Sequence, residues 1–95
     1  MTLKQPIDFT KVEELRKEML LTMKDMSELF GVSRMTYHSW VQGKTLRPSS
    51  DEQVRIALRR LLAVYTGHGW PSAQVRAMDS KQRALHLKQL LEADQ

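Results

Sequence analysis

Residues 22–48 read Thr22-Met23-Lys24-Asp25-Met26-Ser27-Glu28-Leu29-Phe30-Gly31-Val32-Ser33-Arg34-Met35-Thr36-Tyr37-His38-Ser39-Trp40-Val41-Gln42-Gly43-Lys44-Thr45-Leu46-Arg47-Pro48. Thr22 is a capping residue, and Met26, Leu29 and Phe30 follow at i, i+3, i+4 spacing, which predicts a helix over 23–29. Gly31 stops it, because glycine accepts the left-handed conformation just past a helix end. Val32 fills the turn. Ser33 caps a second helix over 34–42, whose apolar stripe is Tyr37, Trp40 and Val41, and Gly43 ends it.

Working outward, the apolar spacing stays helical, and no segment sustains the period-two alternation of a strand. Thr10 with Glu13 reads as a capping box. Val12, Leu15, Met19 and Leu20 then predict a helix over 11–20. Downstream, Gly43–Ser50 reads as a loop. Ser50 with Gln53 reads as a second capping box, opening a helix to about Tyr65 with Val54, Ala57, Leu58, Leu61, Leu62 and Tyr65 inward. Ile56 and Ala63 lie on its opposite side. Gly67–Pro71 is a turn, and a short helix over 72–77 turns Val75 and Met78 inward. Asp79 with Gln82 opens a last helix over 80–93, with a seam of Ala84, Leu87, Leu90 and Leu91. The expected fold is all-α: a compact bundle of five to six helices with a C-terminal helical extension. Residues 1–65 form the main domain and 66–95 the extension, within one compact unit.

The chain has 95 residues, 41% of them hydrophobic and 27% charged, which suits one small globular domain. It has no cysteine, which excludes disulfides, thiol catalysis and Cys-based zinc sites. No stretch approaches eighteen apolar residues, so no membrane span is expected. Met1–Pro6 lacks the apolar core of a signal peptide, and the expected location is the cytoplasm. Fifteen basic against eleven acidic residues give +4. That excess is modest, but it is unevenly placed. Residues 1–20 carry no net charge, whereas Gly31–Ser50 holds Arg34, Lys44 and Arg47 and no acid. A run free of carboxylates is compatible with a phosphate-facing surface.

Two short helices joined through a glycine turn can cross steeply and project the second into a DNA major groove. Thr22, Met26 then Ser27, Gly31-Val32-Ser33, and Tyr37 with Trp40 resemble the helix-turn-helix pattern of the Xre/Cro family of phage and bacterial repressors. Gly43–Pro48 resembles the loop after the recognition helix of the lambdoid members. The resemblance covers roughly residues 10–65 and implies a lambda-repressor-like bundle that binds double-stranded DNA. The part after Gly67 looks more like small phage regulators such as anti-CRISPR-associated repressors. The chain departs from the pattern at Met23, where the family often has a phosphate-reaching Gln. It departs again at Ser27 for Ala, Tyr37 for Ile or Val, and Val41 for Glu. The Tyr37 hydroxyl then needs a partner or an exit to solvent.

With Tyr37 and Trp40 turned inward, Arg34, Met35, His38 and Ser39 face outward and are the candidate base-contacting residues. Arg34 matches guanine O6 and N7, and Met35 can pack on a thymine methyl. Thr22, Ser33, Thr36, Lys44, Thr45 and Arg47 are the candidate phosphate contacts, which position the protein without reading sequence. The implied function is a sequence-specific transcriptional regulator, a repressor binding a palindromic operator. Such a domain covers a half-site, so a homodimer is expected. The seam of Ala84, Leu87, Leu90 and Leu91, with Trp70 upstream, can either fold back onto the domain or pair with a second copy; pairing is the expectation, with Ile56 and Ala63 as a second candidate patch. Two other roles fit the same residues: a DNA-packaging or replication component such as a small terminase subunit, and an antitoxin-type protein-binding module. No enzyme is expected. His38, His68 and His86 are scattered, no HExxH-like motif or Gly-rich phosphate loop occurs, and no metal or cofactor is called for.

Overall fold

Among the described residues, capping and stop signals set off six helices: α1 Phe9–Glu18, α2 Met23–Phe30, α3 Arg34–Val41, α4 Pro48–Gly67, α5 Ala73–Arg76 and α6 Ser80–Ala93. The computed structural model describes residues 5–93, and among them there is no strand. The protein is an all-α bundle, as the spacing predicts.

The first three helices share one stop device. At each C-terminus a residue with positive φ turns the chain so that the next N–H returns to a carbonyl of the last turn, the Schellman arrangement. Gly31 (φ 69°) and Gly43 (φ 105°) do this after α2 and α3. The Val32 N–H bonds the Ser27 carbonyl and the Lys44 N–H bonds that of Ser39. After α1 the same position is held by Leu20 (φ 61°), with the Leu21 N–H on the Arg16 carbonyl. Nothing in a leucine announces such a turn.

The helix starts divide between the expected and the corrected. Thr22 caps α2 in a capping box with Asp25, Ser33 caps α3, and Asp79 with Gln82 exchange the two bonds of a box before α6. The Thr10–Glu13 box does not form. Asp8 caps α1 instead, its carboxylate accepting the Thr10 N–H, so the helix starts two residues earlier than expected. The Ser50–Gln53 box does not form either. Helix α4 opens at Pro48 after Arg47, where a missing proline N–H costs nothing. Glu13 and Gln53 are both drawn to distant partners.

The core is one cluster. Phe9 and Val12 of α1 meet Phe30 of α2, Tyr37 and Trp40 of α3, and Val54, Leu61 and Val64 of α4. Phe9 and Phe30 both lie within aromatic contact of Tyr37 and Trp40, with centroids 5.7–6.5 Å apart. Along α4 the inward face is the expected one at Val54, Ala57, Leu58, Leu61 and Tyr65, but Val64 takes the place expected of Leu62. Val64 is fully buried, while Leu62 is 46% exposed.

The C-terminal segment folds onto this core. Trp70 is buried and its indole N–H donates to the Met19 carbonyl (2.7 Å). Val75 and Leu87 are buried in the same cluster, and Leu90 and Leu91 pack against it. Trp70 and Leu87, expected as dimer contacts, serve the chain's own core, Leu90 and Leu91 are half-buried against it, and Ala84 is half-buried beside Leu87. An apolar stripe does not reveal by itself which copy of the chain it will meet.

Candidate nucleic-acid interface

Helix α3 is held from behind and open in front. Its inward side chains, Tyr37 and Trp40, are buried. The Tyr37 hydroxyl donates to Glu13 Oε2 (2.7 Å), and Arg16 grips the same carboxylate through Nε (2.7 Å) and Nη2 (3.1 Å). Arg16 also donates from Nη1 to the Leu21 carbonyl (2.9 Å). One carboxylate thus ties α3 to α1, and its arginine partner ties α1 to the corner before α2.

The charges reinforce one another. Burial pushes the Glu13 carboxyl up, but hydrogen bonds from Arg16 and Tyr37, with the charges of Arg16 and Lys17, outweigh it and hold the group below its ordinary range. Arg16 is raised, chiefly by its hydrogen bond to Glu13. Burial, the hydrogen bond to Glu13 and that carboxylate's charge together push the Tyr37 phenol far above its usual value. This is the partner that a tyrosine in an apolar stripe demands. The sequence signals the need but not which residue meets it. Ser27 of α2 is also buried and satisfied, its hydroxyl donating to the Lys24 carbonyl (2.8 Å).

On the outer side, Arg34, Met35 and His38 are exposed together, Met35 at 82%. The side chains of Arg34 and His38 form no hydrogen bond or ion pair among the described residues. Ser39 is set back. It is half-buried and its hydroxyl donates to the Thr36 carbonyl (2.7 Å), leaving it to act outward only as an acceptor.

The candidate phosphate contacts fall into two groups. Thr22 and Ser33 are helix caps whose hydroxyl oxygens accept the backbone N–H of Asp25 and Thr36. The Ser33 hydroxyl then donates to Thr36 Oγ1 (3.0 Å), so Ser33 and Thr36 satisfy each other first. Lys44, Thr45 and Arg47 stand exposed on the loop from α3 to α4, and half-buried Leu46 pins that loop to the core. The side chains of Lys44 and Arg47 have no partner among the described residues.

The acid-free run does not remain acid-free in three dimensions. Asp8 and Asp51, from α1's cap and from α4, line a cleft of about 340 Å³ behind Lys44 and Thr45. Both are engaged, Asp8 by the Thr10 N–H and Asp51 by Arg55 (2.6 Å). The Asp25 carboxylate is occupied by the Thr22 N–H (2.8 Å).

Among the described residues no cluster of three or more His, Asp or Glu is placed to hold a metal ion, and no helix is long and apolar enough to cross a membrane. His68 and His86 lie away from this face in the C-terminal third, His86 stacked on Trp70 (centroids 5.7 Å, 18° between planes). The arrangement offers a short rigid helix with a guanidinium, a thioether and an imidazole outward, and two unpaired cations on the following loop. That set can hydrogen-bond base edges and neutralise phosphates. No protein-family model, curated protein or solved structure matches the chain.

Proposed function

We propose that the protein is a sequence-specific DNA-binding transcriptional regulator, a repressor that lays α3 in the major groove of a palindromic operator. The observation that carries this reading is the division of α3. Tyr37 and Trp40 lock one face into the core, while Arg34, Met35 and His38 are exposed on the other with unengaged Lys44 and Arg47 on the loop that follows. An exposed apolar Met35 beside an unpaired Arg34 is poorly explained by stability. Both find partners on base edges, a thymine methyl for one and guanine O6 and N7 for the other. The caps Thr22 and Ser33 present helix N-termini, where backbone dipoles favour a phosphate.

Regulation follows from occupancy. A protein bound in the major groove of a promoter excludes polymerase from the same DNA, and two copies on a palindrome gain affinity and sequence discrimination together. Selection from a pool of random duplexes tests the reading. The expected result is an enriched palindromic motif with half-site centres about one helical turn, ~34 Å, apart. Equal retention of random and selected duplexes overturns it.

A further inference from the structure

An apolar groove of about 630 Å³ runs between α1 and α4, away from the C-terminal seam. Its lining includes Ile7, Val12, Leu15, Leu58 and Leu62. Leu62 is the most exposed of these, although it sits mid-helix among apolar neighbours. The two helices run in the same direction along it. Arg55 reaches the Gln5 carbonyl near their starts, and the Tyr65 hydroxyl meets Glu18 (2.6 Å) near their ends.

The rim carries both signs in a definite order. Asp8 and Glu52 lie toward the starts of the helices, together with Arg55, whose charge is met by Asp51, and Lys11 and Arg59 lie further along. Glu52 and Arg59 are seven residues apart, about two turns or ~10 Å along α4. The side chains of Lys11, Glu52 and Arg59 have no partner among the described residues. A partner of single charge would meet repulsion at one end of this rim. A second copy, turned over by a two-fold axis, sets the acidic end of each groove against the basic positions of the other. Isologous interfaces work in this way, each patch meeting its own copy.

We propose that the α1–α4 groove is the surface on which a second copy of this chain docks, Leu62 burying against its counterpart's apolar lining and Glu52 pairing with the other copy's Arg59. In the C-terminal seam, Trp70 and Leu87 are already core residues of each chain. The proposal supplies the second copy that the operator reading asks for. Its test is the oligomeric state, which does not depend on DNA.

Sedimentation velocity on the full chain provides that test, with far-UV circular dichroism confirming helicity. The wild type is expected to form a dimer at micromolar concentration. Leu62→Glu, at an exposed position, is expected to weaken it at least about tenfold. Glu52→Arg and Arg59→Glu are each expected to weaken it, and the double swap to restore it. This second set decides the matter if Leu62→Glu fails to fold. A monomer at every concentration overturns the proposal, as does a dimer indifferent to Leu62→Glu or a double swap that rescues nothing. A wild-type dimer that ignores all duplexes defeats the operator reading alone. A monomer that still selects a sequence defeats the docking surface alone.

Discussion

At the scale of single residues, Glu13 and Tyr37 show how one polar pair positions a surface. The carboxylate is held below its ordinary pKa, so its stabilisation is present above the unfolded value near 4.5 and is lost as pH falls through the folded value. The phenol is raised above 10.0, so its contribution is complete below pH 10 and is lost as pH climbs beyond it, where only the unfolded chain ionises. Tyr37→Phe removes one hydrogen bond while Arg16 keeps Glu13 paired. The expected cost is about 1 kcal/mol in urea unfolding at pH 7. Across pH 10–11, the variant should lose less stability than the wild type; equal losses would mean the phenol is not shielded. On the outer face, Arg34 and Lys44 separate reading from holding. Arg34→Ala should cost about 1–3 kcal/mol on the selected duplex and flatten preference at one base position. Lys44→Ala should weaken all duplexes alike and lower the salt slope by about one. Competition binding at several salt concentrations distinguishes the two, and the reverse pattern would exchange their roles.

At the scale of elements, α2, the turn and α3 were legible because their signals are local. Thr22, Gly31, Ser33 and Gly43 each act within a turn of where they stand, and the structure uses all four as the sequence implies. The starts of α1 and α4 depart from their local signals for one reason. Glu13 and Gln53 have the right spacing for capping boxes, but Tyr37 lies 24 residues from Glu13, and the Phe30 carbonyl that Gln53 reaches lies 23 residues back. Long-range partners outbid local ones, and spacing alone carries no trace of them. The exposure of Arg34, Met35 and His38 was legible from periodicity once Tyr37 and Trp40 were placed inward, whereas Ser39 is half-buried and turned to the Thr36 carbonyl. The cleft that brings Asp8 and Asp51 behind the loop was not, because it depends on how separate helices meet. The Gln53 bond makes the turn testable. A Cβ on Gly31 would suffer the left-handed φ and also meet the Gln53 amide at 2.5 Å. Gly31→Ala should therefore cost about 1–2 kcal/mol or more from the backbone alone. Because the Gln53 amide must also move, Gln53→Ala in the same chain should recover part of the loss. An unchanged thermal midpoint for Gly31→Ala would show that the turn has room to relax.

At the scale of the whole molecule, the question is whether residues 66–93 are an appendage or part of the core. The radius of gyration, 13.5 Å, is close to the ~13 Å of a compact 100-residue domain. Trp70 is buried against Met19, and its indole N–H closes onto a carbonyl at the corner between α1 and α2. Helix α6 packs along α4, so the last third covers surface that the first two thirds would otherwise expose. The chain's two tryptophans report on the two parts separately, Trp40 from α3 and Trp70 from the C-terminal segment. If the chain is one cooperative unit, neither can loosen first. In Trp40→Phe the fluorescence of Trp70 should follow the same urea transition as far-UV circular dichroism. In Trp70→Phe the fluorescence of Trp40 should do likewise, though at a lower midpoint because the Met19 bond is gone. An earlier transition at Trp70 alone would mean that the C-terminal segment undocks from a bundle able to stand without it. The apolar seam of α6 would then be free to meet a second chain. Coincident transitions keep that seam inside the monomer and leave the α1–α4 groove as the surface available for pairing.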